Sequence, residues 1–221
     1  MDAVRTFRLS KSRITAGLQC GKRLWLAIHH PELEVYSADT RRRFAAGNDV
    51  GTVARELYGG GELIGEGAPL SQALRDTEAA LAAPGDVTLY EATFRHRGVL
   101  VRTDVLERRA GRYRMVEVKS ATRLKEYHLQ DIAVQAWVTE GAGVPLDLLS
   151  VAVIDTDFVY PGGGDYRGLL RGAGGRPGTP AHGAHPRLGA RLQRAPRRPA
   201  AGDPHRGAVP AALRVPVHPL L

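Results

Sequence analysis

The sequence predicts an α/β protein: a mixed sheet flanked by helices, with an N-terminal helical segment and a disordered C-terminal tail. Three observations carry this prediction. Apolar residues recur every three or four positions before residue 84, then every second position through three segments between 87 and 121. A further helical pattern leads into an apolar, β-branched segment, which is the signature of a crossover helix and its strand. From Arg171 onward there is no aromatic residue and no Lys, Glu, Ile, Met or Cys, and such a composition cannot build a core.

The stretch "LSKSRITAGLQCGKRLWLAIHHPEL" offers Ser10 or Ser12 as an N-cap and places Ile14, Leu18 and Trp25 near helical register, so one or two helices are expected, interrupted near Gly21 and ended by Pro31. "DTRRRFAAGNDVGTVARELY" spaces Phe44, Gly47, Val50, Gly51, Ala54 and Leu57 by three or four, and its small residues suggest close backbone approach to a neighbour. "SQALRDTEAALAA" is a third helix, with Ser71 as its expected cap. "VTLYEATF", "GVLVRTDVLER" and "RYRMVEVKSA" alternate as a three-stranded meander. "KEYHLQDIAVQAWVTEGAG" is a helix with Gly141 at its stop, and "LDLLSVAVIDTDFVY" is a buried strand.

The formal charge of +8 sits entirely in the tail: nine Arg and one acid, Asp203, follow residue 170, whereas residues 1–170 carry 22 basic and 22 acidic side chains. The basic balance is therefore no evidence that the rest of the chain binds nucleic acid. Nine of the fourteen prolines also fall in this tail, which reads as an out-of-frame GC-rich stretch, a basic arm or a linker. The chain has no apolar run long enough to span a bilayer and no signal-peptide pattern, so a cytoplasmic protein without a membrane partner is expected.

A tight turn at Ala110 and Gly111 in "RRAGR" pairs residues whose numbers sum to 221, which sets Asp104 opposite Glu117. Lys119 lies two residues further on the same face, about 7 Å along the strand. Like charges placed across a ladder repel, and a divalent ion between them would remove the conflict. Mg²⁺ or Mn²⁺ with carboxylate ligands, and a lysine to orient or deprotonate a water, suits phosphodiester hydrolysis. The plain alternative is a solvated charge pair of Glu117 with Lys119, with Arg102 answering Asp104.

Asp104, then Glu117-x-Lys119 on the next strand, then a helix bearing Gln135, resembles the PD-(D/E)XK nuclease superfamily. The N-terminal "LSKSRITAGLQCGKRLWL" is similar to the opening of its RecB-like branch. The resemblance implies a restriction-endonuclease-like core over 84–170, a helical part over 1–83 and DNA as substrate. It also implies Asp104, Glu117 and the Val118 carbonyl as metal ligands, Lys119 as the catalytic lysine and Gln135 near the site. Asp131, one turn before Gln135, is either a partner of that site or a solvent-facing acid. Glu91, on the preceding strand, is either a further ligand or an edge residue.

Two departures stand out. Gly51 occupies the place of a metal-ligating His in "GNDVG", and His29 and His30 read as surface residues at a helix end. Cys20 matches the first thiolate of an iron–sulfur cluster, but it is the chain's only cysteine and such a cluster takes four. A catalytically degenerate nucleic-acid-binding module and a truncated product without stable function are therefore the alternatives. Lys11, Arg13, Lys22 and Arg23 are either a phosphate track or a solvated helix face. "YGGGELI" lacks the Lys-Ser/Thr of a phosphate loop.

Overall fold

Strand and helix bounds follow the change of hydrophobic period closely in the structure, a computed structural model that describes residues 9–172. A two-residue strand, β1 (Leu9–Ser10), runs into α1 (Lys11–Gln19), whose cap is Ser10: its hydroxyl accepts the Arg13 N–H at 3.4 Å. The chain breaks at Cys20 and resumes as α2 (Gly21–His29), followed by a 3₁₀ turn at Pro31–Leu33. α3 (Ala38–Tyr58) is capped by Ser37 and closed by Gly59 at φ 58°. β2 (Glu62–Leu63) and α4 (Leu70–Ala82) follow.

The α4 cap differs from expectation: Pro69 holds the position, and Ser71 lies inside the first turn. A proline's fixed φ suits a helix entrance. The far end of α4 is closed by Arg108, which donates to the carbonyls of Leu81 at 2.8 Å and Gly85 at 2.7 Å.

β3 (Val87–His96), β4 (Val99–Arg109) and β5 (Arg112–Lys119) form the expected antiparallel meander. Ala110 and Gly111 both take positive φ, 48° and 78°, as the two-residue turn requires. The register is the expected one: Val105 pairs with Val116, Leu106 with Met115. α5 (Glu126–Gly141) then crosses to β6 (Leu146–Ile154), which lies parallel to β5. β7 (Leu170–Gly172) closes the sheet on β6.

The seven strands run β2-β3-β4-β5-β6-β7, with β1 alongside β4. The helical N-terminal part thus supplies two strands, β1 and β2, of the same sheet. Arg171 and Gly172, expected to open the tail, belong to β7; the rest of that tail lies outside the described residues. Among the described residues no helix is long and apolar enough to cross a membrane.

Tyr90, Val105, Val116, Ala152 and Leu170 of the sheet pack with Ala54 of α3 in one core. The other face, with Leu89, Leu106, Met115 and Glu117 by alternation, is covered by α5. α3 and α5 thus sandwich the strands that carry the candidate site.

Candidate active site

Asp104 sits where β4 loses its neighbour. Along one edge β4 pairs with β1 at Val99 and Leu100, and with β5 from Val105 onward. Between these stretches the edge forks open, and the charged side chains gather there. The Asp104 carboxylate bridges the fork by accepting the Val118 N–H at 2.6 Å, in place of a main-chain partner. Burial, and then the like charge of Glu117, lift the Asp104 carboxyl to about 7.

Glu117 is 1 % exposed. One of its oxygens accepts from Lys119 at 2.6 Å and from Lys11 at 2.8 Å, and the other accepts from the Gln135 amide. Burial alone would raise its carboxyl, but the two ammonium groups outweigh that and hold it below the ordinary range. Lys119 also reaches Asp131 at 2.7 Å, and Asp131 accepts the Thr15 hydroxyl at 3.2 Å. Burial disfavours the Lys119 charge, yet Glu117 and Asp131 together raise its affinity for the proton. Lys119 is therefore a fixed donor that can orient a water or steady a phosphate, and the expected deprotonating role does not fit it. Glu117, Lys119 and Gln135 are in contact, Asp104 reaches the intervening Val118 N–H, and Asp131 is a partner of Lys119.

Lys11, expected on a phosphate track or a solvated helix face, instead turns inward onto Glu117. β1 pairs Ser10 with Leu100, so the next residue is delivered into the fork beside Glu117. The contact spans 106 residues of sequence, and no local pattern could have announced it.

A cavity of about 300 Å³ opens on the α3 side, lined by Asp104, Glu91 and Val118 and by Gly47, Gly51 and Arg55 of α3. Glu91 is opposite Asp104 by register, because Tyr90 pairs with Val105 and Ala92 with Thr103 while the pair between them is skipped. Its φ of 57° breaks the ladder at that point. Such a conformation costs a side-chain-bearing residue about 1–2 kcal/mol, and it persists where the surroundings over-determine it.

Two carboxylates, Glu91 and Asp104, lining one small cavity are hard oxygen donors that fit Mg²⁺ or Mn²⁺, ions that complete their shell with water and substrate oxygens. Glu117 does not line this cavity, and both its oxygens already accept N–H groups. Among the described residues no three His, Cys, Asp or Glu side chains cluster as a ready-made cage. Gly51 lines the cavity at the place of the expected imidazole, and a Cβ there would meet nothing within 4 Å.

Cys20 is exposed and belongs to neither the cavity nor the charge network. The Arg23 and Lys22 backbone N–H groups at the start of α2 draw its thiol below the usual value. His29 ends α2 and His30 pairs with Glu32, both at the surface. The chain matches no protein-family model and no curated protein.

Proposed function

We propose that the chain is a metal-dependent deoxyribonuclease of the PD-(D/E)XK type, RecB-like, acting on DNA phosphodiester bonds with Mg²⁺ or Mn²⁺. The observation that carries the reading is the convergence of Asp104, Glu117, Lys119 and Gln135 at one fork in the sheet, with Glu91 and Asp104 sharing a cavity beside it. A solvated charge pair would not bury Glu117 under two ammonium groups and an amide.

Asp104, Glu91 and the Val118 carbonyl would hold the ion. When bound it lowers the pKa of a water and offsets charge on a phosphate. Glu117 fixes the two lysines, Gln135 fixes Glu117, and Asp131 fixes Lys119 from its other side. Lys119 donates to a phosphate oxygen or to the attacking water, and Lys11 adds a second positive charge beside it. A non-catalytic DNA-binding module is the second reading, favoured by Gly51 in the cavity wall and by a Glu117 whose oxygens are both engaged.

The test is Mn²⁺-dependent cleavage of single- and double-stranded DNA by wild type, Asp104→Ala and Lys119→Gln, each checked for cooperative melting. Cleavage by wild type alone is expected. DNA binding without cleavage by a folded wild type would leave the binding-module reading, and cleavage that survives both substitutions would put the site elsewhere.

A further inference from the structure

From the α3 surface we infer that this helix is a track for single-stranded DNA, with Phe44 stacking a base and Arg41 and Arg55 contacting phosphates on either side of the cavity; this rests on the nuclease reading above. Arg41, Phe44, Gly47, Asn48, Gly51 and Arg55 recur at helical spacing and form one stripe. Its lower end lines the cavity that holds Asp104 and Glu91.

The upper end is an exposed aromatic surface among the described residues. Phe44 is 52 % exposed, and Tyr36 meets it edge-on at 5.0 Å, which fixes the ring while leaving a face open. Base stacking needs such a ring, and only unpaired bases can reach it.

Charge on the helix is sorted by face. At about 100° per residue, the acids of α3, Asp39, Asp49 and Glu56, all fall more than a quarter turn away from Phe44. Arg41 and Arg55 lie on the stripe itself. Arg41 is exposed and makes no ion pair among the described residues, whereas Arg42 and Arg43 are taken up by Asp39.

The glycines join the two ends. A helical glycine costs about 1 kcal/mol against alanine, and protein packing does not explain these two: a Cβ at Gly51 would meet nothing within 4 Å, and one at Gly47 only the Ser120 hydroxyl at 3.9 Å. Their absent side chains leave the stripe bare where a strand would pass into the cavity. Seven residues separate Phe44 from Gly51, about 10 Å of helix, which is about three stacked nucleotides at 3.4 Å each. The stacked base then lies about three nucleotides from the phosphate at the cavity.

The experiment is fluorescence anisotropy with a labelled 12-nucleotide single strand and a blunt duplex of the same length, in EDTA so that no cleavage occurs. Wild type is compared with Phe44→Ala, Phe44→Trp and Arg41→Gln, and cleavage with Mn²⁺ is measured in parallel. Phe44→Ala is expected to weaken single-strand binding about tenfold, in the range of a lost base–aromatic stack, with duplex binding unchanged and Phe44→Trp near wild type. Arg41→Gln is expected to lower the slope of log affinity against log salt by about 0.7. Equal single-strand affinity of Phe44→Ala and wild type, or no strand binding by wild type, overturns the track. If wild type cleaves and Phe44→Ala binds and cleaves alike, the track fails and the nuclease reading stands. If wild type binds through Phe44 but never cleaves, the track stands and the nuclease reading fails.

Discussion

Asp104→Asn replaces a carboxylate that the fold holds against its own preference. Burial and the neighbouring Glu117 charge move its pKa from the ordinary 3.8 to about 7. That gap corresponds to about 4 kcal/mol, at 1.36 kcal/mol per pH unit. A raised folded-state pKa means that the native protein binds a proton which the unfolded chain releases. The associated stability is thus fully present below about pH 4 and is lost as pH rises toward 7. Asparagine cannot ionise, and its Oδ1 still accepts the Val118 N–H that Asp104 accepts at 2.6 Å. In urea denaturation at pH 8 without metal, Asp104→Asn is expected to be more stable than wild type by about 2–4 kcal/mol, and by only about 1–2 kcal/mol at pH 5. With added Mn²⁺ the order closes, because wild type gains stability from a ligand that the variant has lost. A variant less stable than wild type at pH 8, or a difference independent of pH, would refute the reasoning.

Two further outcomes follow from the same geometry. Lys11→Met leaves Glu117 buried with one ammonium in place of two; a cost of about 1–3 kcal/mol is expected, below that of breaking a fully buried pair because Lys119 stays and Lys11 is partly exposed. Glu117 is held below its ordinary 4.5, so its contribution is present above that value and disappears as pH falls through the lowered one. The acid-unfolding midpoint of Lys11→Met should therefore move to higher pH, as followed by circular dichroism. Gly51→His adds a side chain in the cavity wall where a Cβ would meet nothing within 4 Å. A larger Mn²⁺-induced rise in melting temperature and weaker single-strand binding are expected, and a Mn²⁺ response equal to wild type would show that the side chain does not reach the ion.

The sheet and its register were legible because each rests on local pattern. Alternation over β3, β4 and β5 fixes which residues share a face, and the turn at Ala110 and Gly111 fixes the sum of 221, so Leu106 opposite Met115 followed from the sequence alone. β1, β2 and β7 were missed because two or three residues carry no period. Ser71 misled because a serine resembles a cap wherever it precedes an apolar run, whereas Pro69 sets the entrance two residues earlier. Lys11 was out of reach for a different reason: its position depends on β1 docking beside β4, a tertiary event that "LSKSR" does not encode by itself.

The energetic character of the fork differs from that of a charged hairpin face. A solvated pair of Glu117 and Lys119 would ask nothing of its neighbours. Here Glu91 is held at φ 57° opposite Asp104, Asp104 is kept half-protonated near neutrality, Glu117 is sealed under two ammonium groups, and α3 carries two glycines with open space where side chains would fit. The Glu91 backbone, the Asp104 charge and the α3 glycines are each locally unfavourable, by about 1 kcal/mol or more, whereas Glu117 is held charged by its two lysines. All of them meet within one fork and its adjoining cavity, beside a β4–β5 ladder that is unbroken from Val105 to Arg109. Local rules broken together at one place are what the proposed function would require of this fork. The Asp104→Asn comparison measures that cost directly, because it relieves the largest single conflict while leaving the backbone hydrogen bond in place.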